Sequence, residues 1–276
     1  MADPSASPLT GKTVFVSRPA DQADKLASEL EARGAQALRY PLIHFGPPED
    51  SQALDDALRS LDKFDWLIFT SQTSVQFVSR RAASVGISLD NIPASLRVGV
   101  VGPATAAAAS RAGWPVHYVT RKNQGMAFVE ELSRELRDKR VFLPHSNLAI
   151  KSVKQGLERG GSRVTGVVAY RTLPPSSEEQ KQISSIKWGV VDAVLFFSPS
   201  AVQNFVDSIG IRQVQEHHRH IIFVAVGPTT RQAIQDLLGV EHIVQASRPS
   251  MEAVLRSLED RLRERSANSP VSVKSP

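Results

Sequence analysis

Cysteine is absent from the 276 residues. Its absence excludes disulfides, thiolate metal sites and a cysteine nucleophile, and it suits a reducing compartment. Met1 to Thr10 lacks the basic-then-apolar pattern of a secretory leader. No apolar run approaches the roughly 20 residues that a helix needs to cross a bilayer. The chain therefore reads as soluble and cytoplasmic, with no membrane partner. No block of five like charges occurs, and 33 basic against 28 acidic residues leave a formal net charge of only +5. That excess suits an acidic ligand but is too modest to indicate nucleic acid. Three catalytic signatures are also missing. No Gly-x-Gly-x-x-Gly follows the first strand and no phosphate loop with Gly-Lys-Ser/Thr exists, so nucleotide binding has no support. No Gly-x-Ser-x-Gly elbow exists either, so serine hydrolysis has none.

The composition, 41% hydrophobic and 22% charged, is that of a globular protein, and the length suggests two domains. Ile221 to Val226 is an apolar strand that stops at Gly227-Pro228-Thr229-Thr230 and runs into a helix. The same phrase occurs earlier, where Arg97 to Val101 meets Gly102-Pro103-Ala104-Thr105. Other landmarks also recur. Val14-Phe15-Val16-Ser17 matches Val141 to Pro144, Gly34 matches Gly161, Trp66 to Ser71 matches Ala193 to Ser198, and Thr120 matches Ser247. Each of these pairs is offset by 127, while Gly102 and Gly227 are offset by 125. Helices expected over Met126 to Leu136 and from Met251 through Leu262 close the two copies. A near-constant offset indicates an internal duplication.

Each copy reads as five strands alternating with helices. The strands are continuous apolar runs, as in parallel sheets covered on both faces. The expected fold is α/β, with two flavodoxin-like doubly wound parallel-sheet lobes. One large ten-stranded sheet is the competing arrangement. Pro41, Pro47, Pro48, Pro174 and Pro175 argue against it, since they mark two extended crossings between lobes. The first ten residues and Ser266 to Pro276, rich in Ser, Pro and Ala, read as disordered ends.

In such sheets ligands bind beyond the carboxyl ends of the strands. Here those ends are Ser17-Arg18-Pro19, Thr70 to Ser74, Gly102 to Thr105, Ser198-Pro199-Ser200, Gly227 to Thr230 and Ser247 to Ser250. All six present hydroxyls, and most lead into helix starts, which favour anions. Together they would suit a molecule with many carboxylates. Equally, Ser and Thr before a helix serve as caps. Arg18 and Arg248 are either carboxylate ligands or solvated loop residues. Tyr170, whose duplicate is Ile43, is either a hydrogen-bond donor or acid lining the cleft, or a packed hinge tyrosine. His217-His218-Arg219-His220 lies between a helix and a strand, includes an arginine and has no cysteine nearby, and no metal is assigned to it. His145, alone at a strand end, reads as a turn residue.

Taken in order, Ser17-Arg18-Pro19, Phe69-Thr70-Ser71 with Val75 and Phe77, Val101 to Ala106, Val168 to Thr172, Phe196 to Ala201 and Val226 to Thr230 resemble the uroporphyrinogen-III synthases. The resemblance runs from about Lys12 to Arg265. It implies a discontinuous lobe of residues 1–41 and 173–265, a second lobe of residues 46–169, and a tail of residues 266–276. It also implies the reaction: hydroxymethylbilane, a linear tetrapyrrole with eight carboxylates, loses its hydroxyl as water. The ring then closes with inversion of ring D through a spiro intermediate, without metal or organic cofactor. Carried over by motif, Tyr170 would assist loss of the hydroxyl. Arg18, Ser71, Thr105, Ser198, Ser200, Thr229 and Thr230 would hold the acetates and propionates. The partners implied are this small molecule and the deaminase that hands it over, with the synthase itself a monomer. Many relatives place an arginine and glycines where this chain has Pro144-His145-Ser146-Asn147-Leu148. The competing function is a catalytically silent bi-lobed module that binds anions or tetrapyrroles for regulation.

Overall fold

The computed structural model describes residues 7–122, 125–149 and 151–267. It divides into two compact units, one holding everything described up to His44 and from Leu173 onward, the other Phe45–Thr172. In chain order, the first unit begins with β1 (Thr13–Val16), α1 (Ala20–Ala32) and β2 (Gln36–Arg39), and β3 (His44–Gly46) leads into the second. There follow α2 (Gln52–Arg59), β4 (Trp66–Phe69), α3 (Gln72–Ser84), β5 (Arg97–Val100), α4 (Gly102–Arg111) and β6 (Val116–Val119). Next come α5 (Ala127–Leu132), β7 (Arg140–Ser146), α6 (Ser152–Arg159) and β8 (Arg163–Leu173), whose last residue returns the chain to the first unit. That unit is completed by α7 (Ser177–Ser184), β9 (Ala193–Phe196), α8 (Pro199–Ile209), α9 (Ile211–His217), β10 (Ile222–Ala225), α10 (Pro228–Leu238), β11 (Ile243–Gln245) and α11 (Met251–Ala267).

There are two sheets, not one. The first unit has the order β11-β10-β9-β1-β2 and the second β3-β8-β7-β4-β5-β6. Counted along its own chain, the first is 2-1-3-4-5, and its neighbouring strands pair in parallel. β4, β9 and β10 are buried at every residue, because helices cover both faces. In the first unit, Ala23, Leu26 and Leu30 of α1 pack with Leu255, Leu258 and Leu262 of α11 against β1, β9 and β10. In the second, one core joins α2, α3 and α4 to one face, and another lays Phe128, Leu132 and Leu157 on the other.

Four local expectations change. Leu9 is fully buried in the α1/α11 core, so the described part of the first ten residues is anchored by an apolar side chain. Ser266 and Ala267 belong to α11, where the Ser266 hydroxyl donates to the Leu262 carbonyl at 3.0 Å. Residues 1–6 and 268–276, the rest of the two expected disordered ends, lie outside the described residues. The helix expected over Met126 to Leu136 is regular only from Ala127 to Leu132. Leu136 is still buried, but the chain turns at Asp138 with φ +62°, which α11 never has to do. Finally, the crossing from Pro41 to Glu49 contains the three-residue strand β3 beside β8.

Candidate functional site

In the second unit the carboxyl ends of β8, β7, β4, β5 and β6 lie side by side, in that order. Ser71 follows β4 in extended backbone (φ −155°, ψ 156°) and caps α3, its Oγ accepting from the Ser74 N–H at 3.1 Å. That cap leaves the serine proton free. The Tyr170 hydroxyl lies 3.3 Å from the same Oγ. The tyrosine ring stacks on Phe77 (5.5 Å, 23°) and meets Phe45 edge-on (5.7 Å, 81°). Tyr170 is 8% exposed. Burial raises the pKa of its phenol, and the Ser71 hydrogen bond only partly opposes that. The group is therefore a neutral O–H that can donate to an oxygen, and it is packed as a core residue as well.

The helix start after β5 is built differently. No side chain caps α4 at Val101, and Gly102 takes φ +72°. Its N–H is met by Thr120 Oγ1 at 3.2 Å, and Thr120 in turn donates to the Lys122 carbonyl at 2.8 Å. Thr120 was legible only as the partner of Ser247 in the repeat. Thr105 stands in the first turn of α4 and is buried.

In the first unit β10, β9 and β1 are neighbours, so three helix starts follow strand ends spaced about 5 Å apart. Ser198 caps α8, accepting from the Ala201 N–H at 3.2 Å. Ser200 is half-buried one residue inside that helix. Gly227 stands at the N-cap of α10 and Pro19 at that of α1, neither providing a side-chain cap. Thr229 is exposed and Thr230 buried in the first turn of α10. Sheet order reverses between β1 and β9, the point where doubly wound sheets take ligands. There the Ser17 hydroxyl donates to the Leu195 carbonyl at 2.6 Å, and the Arg18 guanidinium lies 4.5 Å above the Phe197 ring. The guanidinium thus stands over an aromatic face close to the start of α1, which no side chain caps.

The histidines at 217, 218 and 220 stand apart from these ends, ahead of β10, whereas His145 lies within β7 near its carboxyl end and not in a turn. His218 Nδ1 is 2.7 Å from the Gln215 carbonyl, and His217 and His220 meet edge-on. Among the described residues no group of three His, Asp or Glu side chains could hold a metal ion. His145 Nδ1 lies 2.8 Å from the Ser146 carbonyl, and the ring covers Gly166.

The family described as uroporphyrinogen-III synthase HemD matches residues 24–256. A uroporphyrinogen-III synthase of Synechococcus elongatus is 28% identical over 257 residues, covering 91% of this chain and 96% of the relative. That of Chlorobaculum parvum is 25% identical, covering 82% and 89%. Among solved structures, a mutant uroporphyrinogen III synthase of Thermus thermophilus superposes with a TM-score of 0.68 at 19% identity, covering 92% of this chain and all of that one. The Helicobacter pylori synthetase gives 0.61 at 19% identity, covering 91% and 100%. These two structures speak for the fold, and the match over residues 24–256 speaks for descent. The chain belongs to the uroporphyrinogen-III synthase family.

Proposed function

We propose that the protein is a cofactor-free cyclising hydro-lyase that converts hydroxymethylbilane to uroporphyrinogen III. The observation that carries the reading is the neutral, buried Tyr170 phenol 3.3 Å from Ser71 at the carboxyl edge of a doubly wound sheet. Loss of the substrate hydroxyl needs a proton or a strong hydrogen bond on the departing oxygen, and a neutral phenol supplies it. Water leaves and an azafulvenium-like cation remains. Attack by the substituted α-carbon of ring D forms the spiro intermediate. Its bond to the original bridge carbon breaks, that carbon re-bonds at the free α-position of ring D, and the α-proton leaves to the phenolate. The ring is thus inverted and the phenol restored.

The rest of the work is positioning. Arg18, Ser71, Thr105, Ser198, Ser200, Thr229 and Thr230 are proposed to hold the carboxylates, with the uncapped starts of α1 and α10, and the first turn of α4 beyond Gly102, contributing N–H groups. Ser71 and Ser198 already cap their helices, so their remaining donor is the hydroxyl proton. Thr105 and Thr230 are buried, and their contribution comes through the first turns that carry them. The protein is proposed to work as a cytoplasmic monomer that takes its labile substrate from the deaminase. No helix among the described residues is long and apolar enough to cross a membrane.

The test supplies hydroxymethylbilane made in situ by its deaminase, oxidises the products and separates the porphyrin isomers. Dominant III isomer is expected. Only the I isomer, from folded protein, overturns the proposal.

A further inference from the structure

Regular strand alternation would turn Tyr170 away from the core it occupies. Along β8, Val167 and Ala169 face the α2/α3/α4 core, so the next residue should point to the opposite face. Tyr170 instead joins the same core. The reason is a register shift. β7 and β8 pair residue for residue from Arg140↔Arg163 to His145↔Val168, then jump to Ser146↔Tyr170, leaving Ala169 without a partner. Such bulges are rare in parallel pairs, and a one-residue slip reverses every side chain beyond it. Something must hold the shifted register, because the regular one would make the same ladder without the extra residue.

The two residues after the shift do so. The Asn147 N–H donates to the Tyr170 carbonyl at 3.1 Å, and Asn147 Oδ1 accepts from the Thr172 N–H at 2.8 Å. Asn147 thus grips β8 on both sides of Arg171. Only an acceptor can face the Thr172 N–H, which fixes the orientation of the amide. Ser146, buried beneath it, completes the network. Its Oγ donates to Asn147 Oδ1 at 3.1 Å, accepts from the Leu148 N–H at 3.2 Å, and lies 3.0 Å from Thr172 Oγ1. With its one proton on Asn147, Ser146 must accept from the Thr172 hydroxyl, so its single donor and both acceptor positions are used.

We propose that Ser146 and Asn147 are positioning residues that lock the β7–β8 bulge and thereby aim the Tyr170 hydroxyl at Ser71 and the substrate. The proposal rests on the role given to Tyr170 above.

The test is a double-mutant cycle on the full chain, measuring kcat, KM and the fraction of III isomer. Asn147→Ala is expected to lower kcat about tenfold, with KM nearly unchanged, since a displaced catalytic group costs turnover more than binding. Ser146→Ala, which leaves every backbone contact of Asn147 in place, should show the same split to a smaller degree. In a Tyr170→Phe background, Asn147→Ala should cost nothing further. Equal losses in both backgrounds, or a change confined to thermal stability, overturn the clamp and leave the role of Tyr170 standing. Full activity of Tyr170→Phe alone overturns that role, and the purpose of the clamp with it.

Discussion

Ser71 and Ser198 hold nearly identical backbone angles, −155°/156° and −158°/156°, at positions 127 apart in the chain, and each caps the helix that follows. Only Ser71 has a phenol beside it, because the duplicate of Tyr170 is Ile43. The duplicated caps make a matched pair of variants. Ser71→Ala and Ser198→Ala should each lose about 1 kcal/mol in urea denaturation. Beyond that they should diverge. Ser71→Ala lowers kcat through Tyr170, whereas Ser198→Ala raises KM and leaves kcat alone. Equal effects on kcat would mean that the hydroxyl beside Tyr170 has no catalytic consequence.

Tyr170→Phe keeps the ring between Phe77 and Phe45 and removes only the O–H. A fall in kcat of about 100-fold is expected, the usual worth of a placed acid. An acid must be protonated to act, so activity is lost as pH rises through its pKa. Burial raises that pKa, so the wild-type rate should hold through neutrality and fall only beyond the ordinary tyrosine range. Rate profiles of the two proteins check this, because the variant should lack the alkaline limb.

The two Gly-Pro turns differ in backbone although their sequences echo. Gly102 has φ +72°, whereas Gly227 is extended at −173°/179° with open space where a Cβ would project. Gly102→Ala should therefore cost about 1–2 kcal/mol of left-handed strain, and Gly227→Ala almost none. Denaturation of both variants decides it. Similar losses would show that the second turn is as constrained as the first.

Arg81 meets Asp55 through two hydrogen bonds of 2.6 Å, tying α3 to α2. The Arg81 hydrogen bond holds the Asp55 pKa below its ordinary value despite burial. A carboxylate whose folded pKa is lowered stabilises the protein above its unfolded pKa and loses that effect as pH falls through the folded one. Arg81→Ala should lower Tm by roughly 5 °C at neutral pH, since it strands a buried charge. The gap should narrow once the medium is more acidic than the ordinary aspartate range. A gap independent of pH would mean that the arginine acts through packing alone.

Residues differed in how much of this they disclosed. The strands Trp66–Phe69 and Ala193–Phe196 were legible because burial on both faces forces an unbroken apolar run. Arg18 was legible as a carboxylate ligand or a solvated loop residue, and its seat on Phe197 needed the β1–β9 pairing. β3 has three residues, too few to show any period. The aim of Tyr170 depends on a bulge that exists only between two strands, so no pattern within Arg163–Leu173 could reveal it. Thr120 and Asn147 act on backbone groups 18 and 25 residues away, a distance at which local chemistry leaves no trace in the sequence.

The pairing of Val14 with Ala193 has a consequence for synthesis. β1 leaves the ribosome almost 180 residues ahead of its neighbour β9. The second unit is continuous from Phe45 to Thr172 and can close in the interval. Its closure draws the two separated stretches of the first unit together, so the remaining search is over a much shorter effective loop. The insertion thus acts as a built-in splint, and a lesion that slows folding of the middle of the chain should delay its two ends as well.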